Sequence, residues 1–217
     1  NRVTPRAAIG IFLDAAKNMI SVALACAIAG VVISMLSLTG LGLKLSSLMI
    51  MLSGENLYIL MFLVAVSGII LGMGLPSVGV YVILAALTAP ALVSFGVSQL
   101  SAQFYVFYFG CISAITPPVA LAAYAAAGIA GCDTNKTGWL AVKLGLAGFL
   151  LPVLFVLNPS ILMTGSPATI LQTAVTSTIA ITVLTMAVNG VPYPRKASRA
   201  VLILSSFLLL DGGTISD

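Results

Sequence analysis

The chain has 217 residues, of which 60% are hydrophobic and 6% charged, with no histidine and a mean hydropathy of +1.20. A soluble domain of this size needs far more surface charge, so the composition excludes a water-soluble fold and points to an all-α polytopic membrane protein. The net charge of +4 comes from short clusters of loop lysines and arginines, which argues against a nucleic-acid surface.

Residues 1 to 17 mix Arg2, Arg6, Asp14 and Lys17 with Ile9, Phe12 and Leu13, a spacing that predicts a short interfacial amphipathic helix. Met19 to Leu38 is the first clear span, closed by Thr39-Gly-Leu-Gly42. Leu41 to Ser53 is apolar but short and carries Lys44, so it is expected at the interface. Leu57 to Leu92 is apolar throughout, interrupted by Gly72-Met-Gly-Leu-Pro76. A glycine pair followed by proline predicts a turn whose second arm starts with proline at its first helical position. The segment is therefore read as a re-entrant helical hairpin over 57–92. Gln99 to Gly131 follows and is broken at Thr116-Pro-Pro118. Proline lacks the backbone donor and pushes its predecessor into extended backbone, so this predicts a discontinuous transmembrane helix. Lys136 to Leu157, Ser166 to Val188 and Ala197 to Leu210 complete the apolar segments. Asp133 or Thr134 is expected to cap the helix after the 99–131 segment. The division is 1–162 for the main unit and 163–217 for an extension with two further spans that supply no ligand.

Orientation follows from parity. The basic clusters at the N-terminus, at 136 to 143 and at 195 to 199 share one side only if 57–92 contributes an even number of crossings. No charged side chain stands between Asn56 and Cys132. Cys26, Cys111 and Cys132 form no CxxC and read as free thiols. With no histidine, no intramembrane carboxylate and no nucleophile beside a base, neither enzymatic chemistry nor a cofactor is expected.

The chemistry is sought at the two breaks, because irregular backbone in hydrocarbon persists only when buried in protein or lining a cavity. Incoming half-helices end in freed carbonyls at a negative dipole end. Around Gly72, Gly74, Ser113, Thr116 and Val119 these oxygens suit Na+. Outgoing half-helices begin at Pro76 and Pro118, and their positive N-termini suit a carboxylate near Pro76, Ser77, Thr116, Pro117 and Pro118. The competing reading is packing: Gly68-x-x-x-Gly72 and the Ala/Gly run 122 to 131 are small-residue helix faces. That reading is preferred for Gly68, Ala122, Ala126 and Gly128, and the site reading for Gly72, Gly74, Ser113 and Thr116. Tyr105, Tyr108 and Tyr124 are read as belt or packing residues.

Leu71-Gly-Met-Gly-Leu-Pro-Ser77, Thr88-Ala-Pro-Ala-Leu92, Phe107-Tyr-Phe-Gly110, Ser113-Ala-Ile-Thr-Pro-Pro-Val-Ala-Leu-Ala122, Ala127-Gly-Ile-Ala-Gly131 and Lys136-Thr-Gly-Trp139 resemble the large, DctM-like membrane subunit of TRAP transporters, the tripartite ATP-independent periplasmic systems. The likeness runs from Ala15 to Leu162, and the Lys-Thr-Gly-Trp and Phe-Val-Leu-Asn158-Pro segments resemble the branch in which small and large subunits are fused. The resemblance implies the C-terminal half of an inverted-repeat, elevator-type permease in a bacterial or archaeal inner membrane. It also implies Na+ coupling, a periplasmic solute-binding protein that delivers a small organic acid, and a small membrane subunit, with Gly72–Ser77 and Ser113–Val119 lining the sites. Where the family often carries glycine, this chain has Ser113. The chain is accordingly expected to be a fragment whose first repeat lies elsewhere.

Na+-coupled uptake of a carboxylate is the favoured reading. Proton coupling is disfavoured by the lack of intramembrane Asp, Glu or His. A non-transporting scaffold predicts continuous packed helices, and a channel would not need interruptions in pairs.

Overall fold

The computed structural model describes residues 5–75 and 77–189 together with Leu202. The described secondary structure is wholly helical, as hydrocarbon demands of a backbone that must satisfy its own polar groups. Helix α1 (Pro5–Thr39) is 35 residues long. The interfacial helix expected over residues 1 to 17 is thus continuous with the first span from Pro5 onward. Neither glycine nor proline stands between Lys17 and Met19. The change from charged to apolar residues there alters the helix's surroundings and not its backbone. Gly40, at φ 66°, ends α1 and opens α2 (Leu41–Ser53). The Ser46 hydroxyl donates to the Leu87 carbonyl at 2.6 Å and ties α2 to the later helices, while Lys44 stays exposed. Gly54 and Glu55, with φ of 56° and 66°, turn the chain out of α2.

Helices α3 (Leu57–Gly72) and α4 (Ser77–Leu87) are the two arms of the expected hairpin. Asn56 starts the first arm by accepting from the Tyr58 and Ile59 amides at 2.9 and 3.3 Å. The second arm is shorter than expected. It stops at Leu87, and α5 (Ala89–Ser94) follows Thr88, since Pro90 cannot donate to a carbonyl one turn back. Ser98 caps α6 (Gln99–Ile112) by accepting from the Ser101 amide.

Helix α6 packs against both arms. Phe109 lies over Gly68 of α3, and Val80 of α4 lies over Gly110. The core that results includes Leu60, Val64, Val80, Leu84, Tyr105 and Val106, all at most 1% exposed. A 3₁₀ turn (Ser113–Ile115) and the prolines separate α6 from α7 (Leu121–Ala130), which ends on Gly131 at φ 67°.

The Asp133 carboxylate caps α8 (Thr134–Leu144), accepting from the Lys136 amide at 2.8 Å. The segment expected as one span over Lys136–Leu157 is two helices, α8 and α9 (Leu146–Leu157), bent by 42° at Gly145. Taken together they are long and apolar enough for a bent span. Helix α10 (Pro167–Asn189) is, among the described residues, the one helix that alone is long and apolar enough to cross a membrane. It coincides with the expected span Ser166–Val188. The second tail span, Ala197–Leu210, and the basic loop before it fall outside the described residues, Leu202 apart.

Candidate functional site

The sequence singles out two interruptions 40 residues apart in the chain, and the fold brings them into contact. Gly68 and Gly72 lie one turn apart on α3, and each faces a residue one turn apart near the end of α6: Phe109 and Ser113. A Cβ on Gly68 would stand 3.0 Å from the Phe109 Cβ. One on Gly72 would overlap the Ser113 side chain, 2.6 Å from its Cβ and 3.1 Å from the Gly110 carbonyl oxygen. Gly72 therefore belongs to the small-residue stripe that lets α3 and α6 approach closely, and it is also the last residue before the tip.

At that contact the Ser113 hydroxyl lies 3.0 Å from the Gly72 carbonyl oxygen and 2.6 Å from that of Gly110, and it donates into the pair. Helix ends leave such carbonyls without amide partners. Here a buried hydroxyl supplies the positive end, at the position read from sequence as a carbonyl ligand.

Beyond Gly72 the tip opens. Met73 closes the last turn by donating to the Ile70 carbonyl. Gly74 takes φ 85°, has no atom within 4 Å of a would-be Cβ, and is exposed, as are Leu75 and Ser77. Its glycine is required by conformation rather than by space. Pro76, proposed from sequence for substrate binding, lies outside the described residues; α4 begins at Ser77.

The second break is packed on either side of Pro118, which is exposed. Ser113 and Ala120 are buried, and Thr116, Pro117 and Val119 are half-buried. Thr116 is extended (φ −103°, ψ 122°), as its place before proline dictates. Its hydroxyl donates to the Ile112 carbonyl at 2.8 Å, which leaves the oxygen lone pairs able to serve a ligand. The outgoing half-helix does not begin at Pro118, as expected from sequence. Ala120 is the N-cap and Leu121 the first helical residue, because Pro117 and Pro118 occupy the turn and the Ala120 amide reaches the Thr116 carbonyl at 3.2 Å. No side chain caps α7. Tyr124 folds back to donate to the Pro118 carbonyl at 2.8 Å, and Gly138 of α8 sits behind the break, near Tyr124, Pro117 and Ala120.

Two polar contacts across the hairpin were not anticipated. The buried Tyr105 hydroxyl donates to the Met61 carbonyl at 2.7 Å, and the Tyr81 hydroxyl donates to Gln103 Oε1 at 3.1 Å. The available signal was Gln103, an amide side chain inside an uncharged apolar segment, since hydrocarbon forces such a group to find a partner. Among the described residues no three His, Cys, Asp or Glu side chains cluster. A cation held here would be bound by carbonyl and hydroxyl oxygens, the donor set that suits hard ions.

A family model described as "Tripartite ATP-independent periplasmic transporter, DctM component" matches residues 1–161. No curated protein and no solved structure matches the chain.

Proposed function

The chain belongs to the DctM family of tripartite ATP-independent periplasmic transporters, which makes it a secondary-transporter subunit and not an enzyme, and from that premise we propose that it couples Na+ entry to uptake of an organic anion. The anion is a carboxylate handed over by a periplasmic solute-binding protein, across a bacterial or archaeal inner membrane. The chain acts as the C-terminal repeat of an elevator-type permease, with a small membrane subunit as partner or fused upstream, and α3 and α4 as its re-entrant hairpin.

The observation that carries this reading is the meeting of two interrupted helices at Gly72 and Ser113, within a stretch that has no charged side chain. Na+ takes oxygens offered around Gly72, Gly74, Ser113, Thr116 and Val119. The carboxylate takes the amides at the start of α7 and, on the hairpin, the start of α4 at Ser77. Carbonyl and hydroxyl oxygens neither take up nor release a proton near neutral pH, which favours Na+ over H+ as coupling ion.

The test is Na+ titration of carboxylate uptake in proteoliposomes that hold the permease and its binding protein. Thr116→Val keeps the branched shape and removes one oxygen. It should weaken Na+ binding by about 1–3 kcal/mol, roughly a fivefold to 150-fold rise in the Na+ needed for half-maximal uptake. Thr116→Ser keeps the oxygen and should stay near the parent. Equal Na+ dependence in all three would remove Thr116 from the ion site.

A further inference from the structure

Helix α8 has a face that none of the transport chemistry uses. On a helical projection, Lys136, Trp139, Leu140, Lys143 and Leu144 fall on one side. Trp139, Leu140 and Leu144 are 66%, 53% and 62% exposed, and both lysines are exposed. The opposite side carries Gly138, the buried residue of the helix, which sits against Pro117, Ala120 and Tyr124. The 42° bend at Gly145 joins α8 to α9, a helix without a charged residue. Both lysines lie on the α8 side of that bend, outside the uncharged α9, with a tryptophan between them, and lysine and tryptophan are side chains that gather at the membrane–water interface. The acidic group nearby is Asp133, and its carboxylate is engaged at the helix N-terminus by the Lys136 amide.

We infer that this face of α8 binds the headgroups of anionic phospholipids. The lysine ammoniums take the phosphates, and Trp139, Leu140 and Leu144 enter the acyl boundary beside them. Charge favours this occupant: among the described residues two cations and no anion project from the face, and the positive-inside rule places this loop at the leaflet rich in anionic lipid. A neutral lipid offers the same apolar contact without the electrostatic attraction. Because Gly138 backs onto the proline break, a lipid held here seats the helix that supports Pro117 and Ala120 from behind.

Trp139 is the single tryptophan of the chain, so its fluorescence reports on this face alone. The full chain is placed in phosphatidylcholine nanodiscs containing an equal fraction of brominated phosphatidylglycerol or brominated phosphatidylcholine. Brominated phosphatidylglycerol should quench Trp139 more strongly. The preference should fall about fivefold for each lysine removed in Lys136→Gln and Lys143→Gln, the worth of one lysine at an anionic surface. It should also fade in ~0.5 M salt, where charges are screened, and survive both in the Lys136→Arg/Lys143→Arg pair and in Lys44→Gln. Equal quenching by the two lipids would reduce the face to ordinary neutral annulus. Quenching by neither would mean that protein covers it, and a like loss in Lys44→Gln would make the effect one of overall charge; each of these overturns the inference. If the glutamine pair disturbs the fold, salt titration of the unaltered chain decides alone.

Discussion

The hairpin tip and the double-proline break both interrupt apolar helices, the first with two glycines and a proline and the second with two adjacent prolines, and they are constrained in different ways. The tip is held at one residue: Gly72 is pressed against Ser113, and two residues later Gly74 has open space around it. The break is held from both sides, by α3 at Ser113 and by α8 at Pro117 and Ala120. Glycine accordingly has two separate duties within three positions, close approach at Gly72 and left-handed backbone at Gly74. The difference teaches that an interruption legible in sequence does not reveal whether it is anchored by its neighbours or only by its own backbone.

Gly72→Ala is the most severe way to break the comparison. Its new methyl would overlap the Ser113 side chain and force α3 from α6, at a cost of about 3 kcal/mol. Thermal unfolding in detergent should show the loss, and Gly72→Ala/Ser113→Gly should recover much of it, since the clash is pairwise. A single variant as stable as the parent would show that the tip is not anchored at Gly72.

Gly74→Ala separates conformation from space. Nothing lies near the added methyl, so the cost is the left-handed backbone alone, about 1–2 kcal/mol. Here Ser113→Gly should give no rescue in the same unfolding assay; any rescue would join the two glycines into one contact.

Ser113→Ala keeps the packing and removes the hydroxyl that serves the Gly72 and Gly110 carbonyls. The expected loss is about 1 kcal/mol, with faster amide exchange near Gly72 than near Leu121. Uniform exchange over both segments would mean that the hydroxyl does not anchor the tip. Smallest of all, Tyr124→Phe deletes a part-exposed bond to the Pro118 carbonyl and should cost about 0.5 kcal/mol, because Gly138 still supports the break. A loss as large as that of Ser113→Ala would make the tyrosine, and not α8, the brace.

What the sequence made legible was local chemistry. Thr116 had to be extended because a proline follows it, Gly74 had to turn because the Gly-Met-Gly-Leu-Pro run can do little else, and Asp133 capped the next helix as its place predicts. What it hid depends on neighbours. Gly145 looks like one more small residue in an apolar run, yet a Cβ there would stand 2.8 Å from Ile115 Cδ1 and 3.0 Å from the Ala141 carbonyl oxygen, and the helix bends at that point. The start of α7 moved from Pro118 to Leu121 because two prolines together fill a turn. Of the candidate site, both breaks were legible but not the pairing of Gly72 with Ser113 by which they meet. Its hydroxyl-to-carbonyl geometry depends on how Gly68 and Phe109 set the crossing of two helices.

Among the described residues three side-chain hydrogen bonds tie the hairpin to α6 and the 3₁₀ turn after it: Tyr105 to Met61, Ser113 to Gly72, and Tyr81 to Gln103. They reach both arms, and the first two are buried. Peeling the tip away from α6 would strand each of these groups in turn, so the bonds hold α3, α4 and α6 together. Any bending of the trio against the rest of the chain then falls to its ends, as at Gly54–Glu55 before α3, where the backbone already sits at positive φ.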